Sequence, residues 1–486
     1  MNFRGLILFT FFLVVIVSCK KGNPVAHTPP KTVIFVDTIS LSGKNRLEGV
    51  VPLKWSGYSS DGYIASYEIS INGSPWKNIG STEDSTFTFK LIQGQDSSNI
   101  NFCVRAVDNY GIIDPSPPCL VVPVKDTPPT VALAKPKTDT AYVVFTMTWT
   151  ANDIEGAQAI DSIFIKINSG KWFALSSQAD MVTFVPANAY ATGATTAKVY
   201  MDSNAVLLPQ QINGLLLNDT NRIYIKARDI SGEYSNVDST ETIYFKNQTS
   251  DLLVIGADGN SSPKPQNVYF PLLSAAYGKF DFVDYETNGA INQPLLWSPT
   301  FTLYISLYDK IFIYTDSKTY GVSNPQLLLQ LGASSFQTFL NKGGKLLILS
   351  NLPSSIAAGS NLYQFLPLDS LASSSLGIPR ISTGNLATPD SANAAQYPVL
   401  ISSANVSLAV PFYPQASALV LYNASITKGG RPVQPWEGPT CIGAKTLNSS
   451  SKTNMIFFSM ELYLFDGNNT ALQQFFSQVM NDEFNW

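Results

Sequence analysis

Two stretches of this chain repeat one another. Val51-Pro-Leu-Lys-Trp55, Asp61-Gly62, Tyr67-Glu-Ile-Ser-Ile-Asn72-Gly73 and Trp76 return as Phe145-Thr-Met-Thr-Trp149, Asp153 to Gly156, Ile163-Phe-Ile-Lys-Ile-Asn168, Gly170 and Trp172. Further on, Val104-Arg-Ala-Val-Asp108-Asn-Tyr-Gly111 matches Ile225-Lys-Ala-Arg-Asp229-Ile-Ser-Gly232. An internal repeat limits architecture strongly, because both copies must fold by the same rules. Within each copy the apolar residues alternate, as in Tyr67, Ile69 and Ile71 or Ile163, Ile165 and Ile167, and Asp-Gly, Asn-Gly or Ser-Gly steps part the runs. Alternation with period two, broken by closely spaced turns, predicts antiparallel strands with one buried face. The fold class expected is therefore multidomain, beginning with two all-β antiparallel sandwiches at 33–125 and 126–247.

A Trp on an early strand facing the Val-Arg-Ala-Val-Asp strand resembles fibronectin type III and related immunoglobulin-like domains of exported bacterial proteins. The resemblance specifies a fold and leaves function open. The second copy departs from the pattern through an extra stretch, about Asp180 to Gln211, readable as an elaborated loop or an added strand. Thr127-Pro128-Pro129 reads as a short stiff linker.

From Asp251 the grammar changes. Leu252-Leu-Val-Ile255, Phe280 to Tyr285, Lys310 to Tyr314, Lys345 to Leu349 and Met455 to Phe458 are continuous apolar runs. Amphipathic or helical patterns cover Val268 to Tyr277, Pro325 to Leu340 and Asn469 to Met480. Buried strands alternating with helices predict an α/β domain over 250–486, with a mainly parallel sheet and helices on both faces. The phrase Phe336-Gln-Thr-Phe-Leu340-Asn-Lys-Gly343-Gly344-Lys-Leu-Leu-Ile-Leu-Ser350, with Ile456-Phe-Phe-Ser-Met-Glu-Leu-Tyr463 before a last helix, resembles class I glutamine amidotransferase-like (flavodoxin-like) domains. That resemblance implies a nucleophilic Cys on a Gly-x-Cys-x-Gly turn, served by a His. Here the turn reads Leu349-Ser350-Asn351-Leu352-Pro353, and the only histidine of the chain is His27. The trunk is thus inactive or repurposed, and no catalytic residue is nominated.

Composition narrows function further. A net charge of −4 with 14% charged residues offers no basic surface for nucleic acid. One histidine and four cysteines supply no transition-metal site, so no metal and no cofactor is expected. Oxygen ligands for calcium are present in the sandwich loops as Asp61, Asp108, Asp114, Asp153, Glu155 and Asp229, but turn-setting bonds from side chain to backbone account for such residues without an ion. Gly256-Ala-Asp258-Gly259 lacks the spacing of a phosphate loop. Open α/β sheets nevertheless bind ligands at the carboxyl ends of their strands, which nominates Asp258, Tyr285, Asp316, Ser350 and Asn351. Capping and turn formation are the plainer roles for the same five residues. Cys103 and Cys119 flank a turn-rich stretch, so pairing of their runs as a hairpin would oppose the thiols and permit a disulfide. Cys441 reads as a small buried apolar residue.

The amino terminus has one basic residue, Arg4, an apolar run from Leu6 to Val17, then Cys19. The run is too short to span a bilayer and suits the apolar region of a signal peptide. Ile16-Val17-Ser18-Cys19 resembles the lipobox of bacterial lipoproteins. The resemblance implies removal of residues 1–18, lipidation of Cys19 and a membrane anchor, with Lys20 and Lys21 beside the headgroups. The Cys-Lys-Lys start is similar to lipoproteins of the Bacteroidetes type. Residues 19–32 then read as the lipidated Cys and a flexible tether containing Pro24, His27, Pro29 and Pro30. The expectation is a non-catalytic lipoprotein of the cell envelope, at the outer membrane. Its sandwiches would be spacers and its α/β domain would bind a saccharide, a peptide or a partner protein. A glycan- or peptide-acting hydrolase using carboxylate or Ser/Lys chemistry, and a structural subunit of an envelope assembly, are the alternatives.

Overall fold

The computed structural model describes residues 26–35, 46–91, 95–134, 139–258, 264–286, 299–320, 324–467 and 469–485. The segment expected to be a signal peptide, with Cys19, Lys20, Lys21 and Pro24, lies outside them. The chain divides into two compact units. The first runs to Pro129 and includes Asn152–Asp161 and Arg228–Ser235; the second comprises Thr130–Ala151, Ser162–Ala227 and Asn236–Trp486.

In the first unit, strands β1 (Lys31–Phe35), β2 (Val50–Tyr58) and β5 (Asp84–Thr88) form one antiparallel sheet in the order β1-β2-β5. Strands β3 (Ile64–Ile71), β4 (Lys77–Asn78), β6 (Ser97–Asp108) and β7 (Cys119–Lys125) form the other, in the order β4-β3-β6-β7. The alternation in the sequence becomes the core: Trp55, Tyr67, Phe102, Val104 and Ala106 are buried together. Trp55 donates its indole N–H to the Thr82 carbonyl at 2.9 Å, so its one polar atom is satisfied inside. Cys103 and Cys119 face each other across β6 and β7 and form a disulfide. His27 lies against this sandwich, its ring stacked on Tyr110 at 3.6 Å and its Nδ1 3.1 Å from Asp61. The segment around it, read as free tether, is docked there because Asp61 also accepts the Thr28 N–H at 3.1 Å.

The repeat continues with β8 (Thr130–Leu133), β9 (Thr140–Tyr142), β10 (Phe145–Asn152), β11 (Ile160–Ile167), β12 (Phe173–Ser176), β13 (Met181–Pro186), β14 (Gly193–Met201), β15 (Val206–Leu217), β16 (Asp219–Asn221), β17 (Ile223–Asp229), β18 (Asp238–Ser239) and β19 (Ile243–Lys246). Its sheets run β15-β14-β13-β10-β8, β12-β11-β17-β18 and β16-β19-β9. The extra stretch is resolved as strand: β13 pairs β10, and β14 and β15 extend that sheet as a long antiparallel hairpin.

The α/β part of the second unit centres on a nine-stranded sheet. Its strands are β20 (Leu252–Ala257), β21 (Asp281–Asp284), β22 (Lys310–Thr315), β23 (Lys345–Ser350), β24 (Leu386–Pro389), β25 (Leu400–Ile401), β26 (Leu419–Ala424), β27 (Cys441–Leu447) and β28 (Thr453–Phe458). The order is β21-β20-β22-β23-β28-β27-β26-β24-β25. The neighbours from β21 to β28 are parallel, and those from β28 to β25 are antiparallel. The sheet is therefore mixed rather than mainly parallel. The antiparallel half escaped sequence reading because strands such as Leu386–Pro389 carry no continuous apolar run.

Successive side chains of β20 serve opposite faces. Leu253, Ile255 and Ala257 join one core with α2 (Pro299–Ile305) and α3 (Leu328–Asn341), while Leu252 and Val254 join the other with α1 (Gln266–Ala276) and α4 (Asn469–Ser477). Val143, Val144 and Val185 of the second sandwich belong to the first of these cores. Gln248 Nε2 donates to the Leu307 carbonyl at 2.9 Å within the same unit.

Candidate functional site

The five parallel strands run in the order second, first, third, fourth, fifth along the chain. In such sheets the crossovers reverse direction between the first and third strands, and a crevice opens there at the carboxyl ends. Those strands are β20 and β22, followed directly by Asp258 and Asp316. The Asp316 N–H donates to the Ala257 carbonyl at 3.3 Å, and the Asn351 N–H donates to Thr315 O at 2.9 Å, which draws the ends of β20, β22 and β23 together.

Glu461 completes the arrangement. It follows β28, and its backbone N–H donates to Asn351 Oδ1 at 3.1 Å. Two residues on, the Tyr463 N–H donates to the buried Tyr269 hydroxyl at 3.0 Å, which fixes the turn over the strand ends. The Glu461 carboxyl comes within hydrogen-bonding reach of Asp258. Both groups are enclosed, at 1% and 0% exposure, and neither Glu461 oxygen has a partner that can donate to it. Burial, then the Asp258 carboxylate, pushes the Glu461 carboxyl well above the usual range. The shift favours the protonated form of Glu461.

Further acids surround the pair. Glu286 is raised chiefly by burial and held down partly by Lys264, whose Nζ lies 3.2 Å from Oε1. Asp284 accepts the Glu286 N–H at 2.7 Å. Tyr314 and Tyr320 bring buried hydroxyls without hydrogen-bond partners. Gly256 is needed beneath them, because a Cβ there would overlap the Tyr314 hydroxyl. The result is a concentration of acceptors with one nearby ammonium group, suited to a ligand rich in N–H or O–H donors.

The residues nominated from the sequence divide. Asp258, Asp316 and Asn351 meet at this edge. Ser350 is buried at the end of β23, at 2% exposure. Tyr285 packs into the apolar core against Phe301, and its burial raises its hydroxyl well above the ordinary value. Sequence reasoning missed Glu461. The available signal was a carboxylate set inside the apolar run Ser459-Met-Glu-Leu-Tyr463, immediately after a buried strand.

Other chemistries are addressed by the same geometry. Burial pushes the Cys441 thiol up to about 12, so it is protonated and unreactive at neutral pH. The loop acids of the sandwiches do set turns: Asp108 Oδ1 accepts the N–H groups of Tyr110 and Ile112, both at 2.9 Å, and Asp114 Oδ1 accepts that of Ser116 at 2.8 Å. Among the described residues no three His, Cys, Asp or Glu side chains stand in ligating geometry, and no helix is long and apolar enough to cross a membrane.

No family model matches the chain, and no curated protein does. Solved structures match over less than half of it. The fibronectin(III)-like modules of CbhA from Clostridium thermocellum share 15% identity over 44% of this chain and 94% of theirs, with a TM-score of 0.17. The chicken interferon gamma receptor alpha chain shares 10% over 46% and 100%, with a TM-score of 0.20. The central fibronectin-III array of RIM-binding protein shares 11% over 48% and 74%, at 0.14. The chain's own sheet pairing shows antiparallel β-sheets in its first half and a large mixed sheet besides.

Proposed function

We propose that this chain is a lipid-anchored protein of the cell envelope, at the outer membrane, whose sandwiches are spacers and whose α/β part binds a donor-rich ligand without transforming it. The ligand is a basic peptide segment, a saccharide presenting hydroxyls or a partner protein's cationic side chain. The observation that carries this reading is the enclosed Asp258–Glu461 pair at the carboxyl edge of the sheet, with both Glu461 oxygens left without a donor. The lipobox-like Ile16 to Cys19 supports the anchor, and the Cys19-Lys20-Lys21 start is similar to lipoproteins of the Bacteroidetes type. The phrase from Phe336 to Ser350 supports an amidotransferase-like trunk put to recognition, since Ser350 and Asn351 stand where that family's nucleophile turn would be.

The test is a glycan and peptide binding screen on the full chain, repeated with Asp258→Ala, Asp316→Ala and Glu461→Gln. Recognition at this edge predicts at least a tenfold loss of affinity in two of the three, or about 1.4 kcal/mol. Wild-type binding by all three variants contradicts it. One observation favours a second reading: the Glu461 carboxyl lies beside Asp258, and adjacent carboxyls can activate water. Turnover of a bound peptide or glycan, lost in Glu461→Gln, would establish a hydrolase instead.

A further inference from the structure

A second group of carboxylates lies wholly within the first unit, on Asp126, Asp153, Glu155 and Asp229. The turn bonds use one oxygen of each Asp. Asp153 Oδ1 accepts the Glu155 N–H at 2.8 Å, Asp229 Oδ1 accepts those of Gly232 and Glu233 at 2.8 and 2.9 Å, and Asp126 Oδ1 accepts the Ser231 hydroxyl at 2.6 Å. What remains is Oδ2 of Asp126, Oδ2 of Asp229 and both oxygens of Glu155, all buried without a partner. Turn formation accounts for none of these. Glu155 is only 5% exposed and Asp229 2%, and the Thr127 hydroxyl is the neutral group close enough to ease the Glu155 charge.

Asp126 and Glu155 line a cavity of about 170 Å³, together with Lys90, Gln158 and Ser231. That is room for an ion and several of its waters. Four carboxylates face one ammonium group, Lys90, so the cluster is anionic whenever it is ionised.

We propose that Asp126 and Glu155 hold a divalent cation, Ca²⁺, with the Ser231 hydroxyl and water filling its shell and Asp153 and Asp229 adding charge from outside. Both carboxylates line the one cavity, and no group of three His, Cys, Asp or Glu stands in ligating geometry among the described residues. The donors are all oxygen, the class hard cations take, and the six to eight ligands of Ca²⁺ tolerate an irregular shell better than the strict octahedron of Mg²⁺ does. The ion fastens the segments 152–161 and 228–235 within this unit.

The experiment is calorimetric titration of CaCl₂ into the EDTA-stripped full chain near neutral pH. We expect saturable binding with a Kd on the order of 0.1–1 mM, the range of extracellular modules. Asp126→Asn and Glu155→Gln should each weaken it at least tenfold, while Asp219→Asn on exposed β16 should not. No uptake by about 5 mM, beyond that range, overturns the proposal, as does equal uptake by both variants. Should either variant fail to fold, a wild-type melting temperature left unchanged by CaCl₂ at about 5 mM counts equally against it.

Discussion

Glu461 puts an ionisable group where water does not reach, and that has a measurable consequence. Its folded pKa is raised, so its neutral form favours folding below the unfolded value and that contribution is lost as pH rises toward the folded value. Glu461→Gln keeps the shape and removes the ionisation. We therefore expect the variant to melt close to wild type near pH 4 and above it, by a few degrees, near pH 8; thermal melts at both pH values check this. Identical pH slopes for the two proteins would mean that Glu461 is not under the strain assigned to it. Asp61 has the opposite sign. The Thr28 N–H holds its carboxyl below the usual range, so docking of the segment 26–30 persists above that range and weakens as acid protonates Asp61. Of the site's residues, Asp258 and Asp316 were legible because the position after a buried strand in an open sheet is a geometric rule. Tyr285 obeys the same rule but carries a large apolar ring, and burial of that ring in the core prevailed.

At the scale of elements, legibility followed periodicity. The strands bearing Trp55, Tyr67 and Val104 were readable since alternation maps directly onto a two-faced sheet, and Leu252–Ala257 since a strand buried on both faces shows an unbroken apolar run. Strands β24 and β25 were not, because elements of four and two residues are too short to show either pattern. The hairpin of β14 and β15 was seen as extra chain without its form, since Gly193, Pro209 and Gly214 interrupt the alternation. One element-level feature carries a stability prediction. The disulfide ties β6 to β7 across a separation of 16 residues. Chain-entropy arguments for a loop of this length put its contribution at about 3 kcal/mol. Cys103→Ser with Cys119→Ser should lower unfolding stability by that order in denaturant melts. A change under about 0.5 kcal/mol, the scatter of neutral surface substitutions, would show that the sheet holds its register unaided.

At the scale of the whole molecule, the proposed function joins an envelope anchor to spacer sandwiches and a ligand-binding α/β part. The anchor is tested by Cys19→Ala, which should move the protein from the membrane fraction to the soluble fraction because two or more acyl chains, and not Lys20 and Lys21, carry the attachment. Retention in the membrane would contradict lipidation at that residue. His27 is the one histidine of the sequence, so the α/β part carries none of the commonest proton carriers near neutrality. The central claim is tested most directly by equilibrium binding of a screened peptide or glycan to the full chain and to Glu461→Gln, alongside product analysis of the bound ligand. The account predicts intact ligand after incubation and at least tenfold weaker binding by the variant. Equal affinity of the two proteins, or a cleaved ligand, would contradict it.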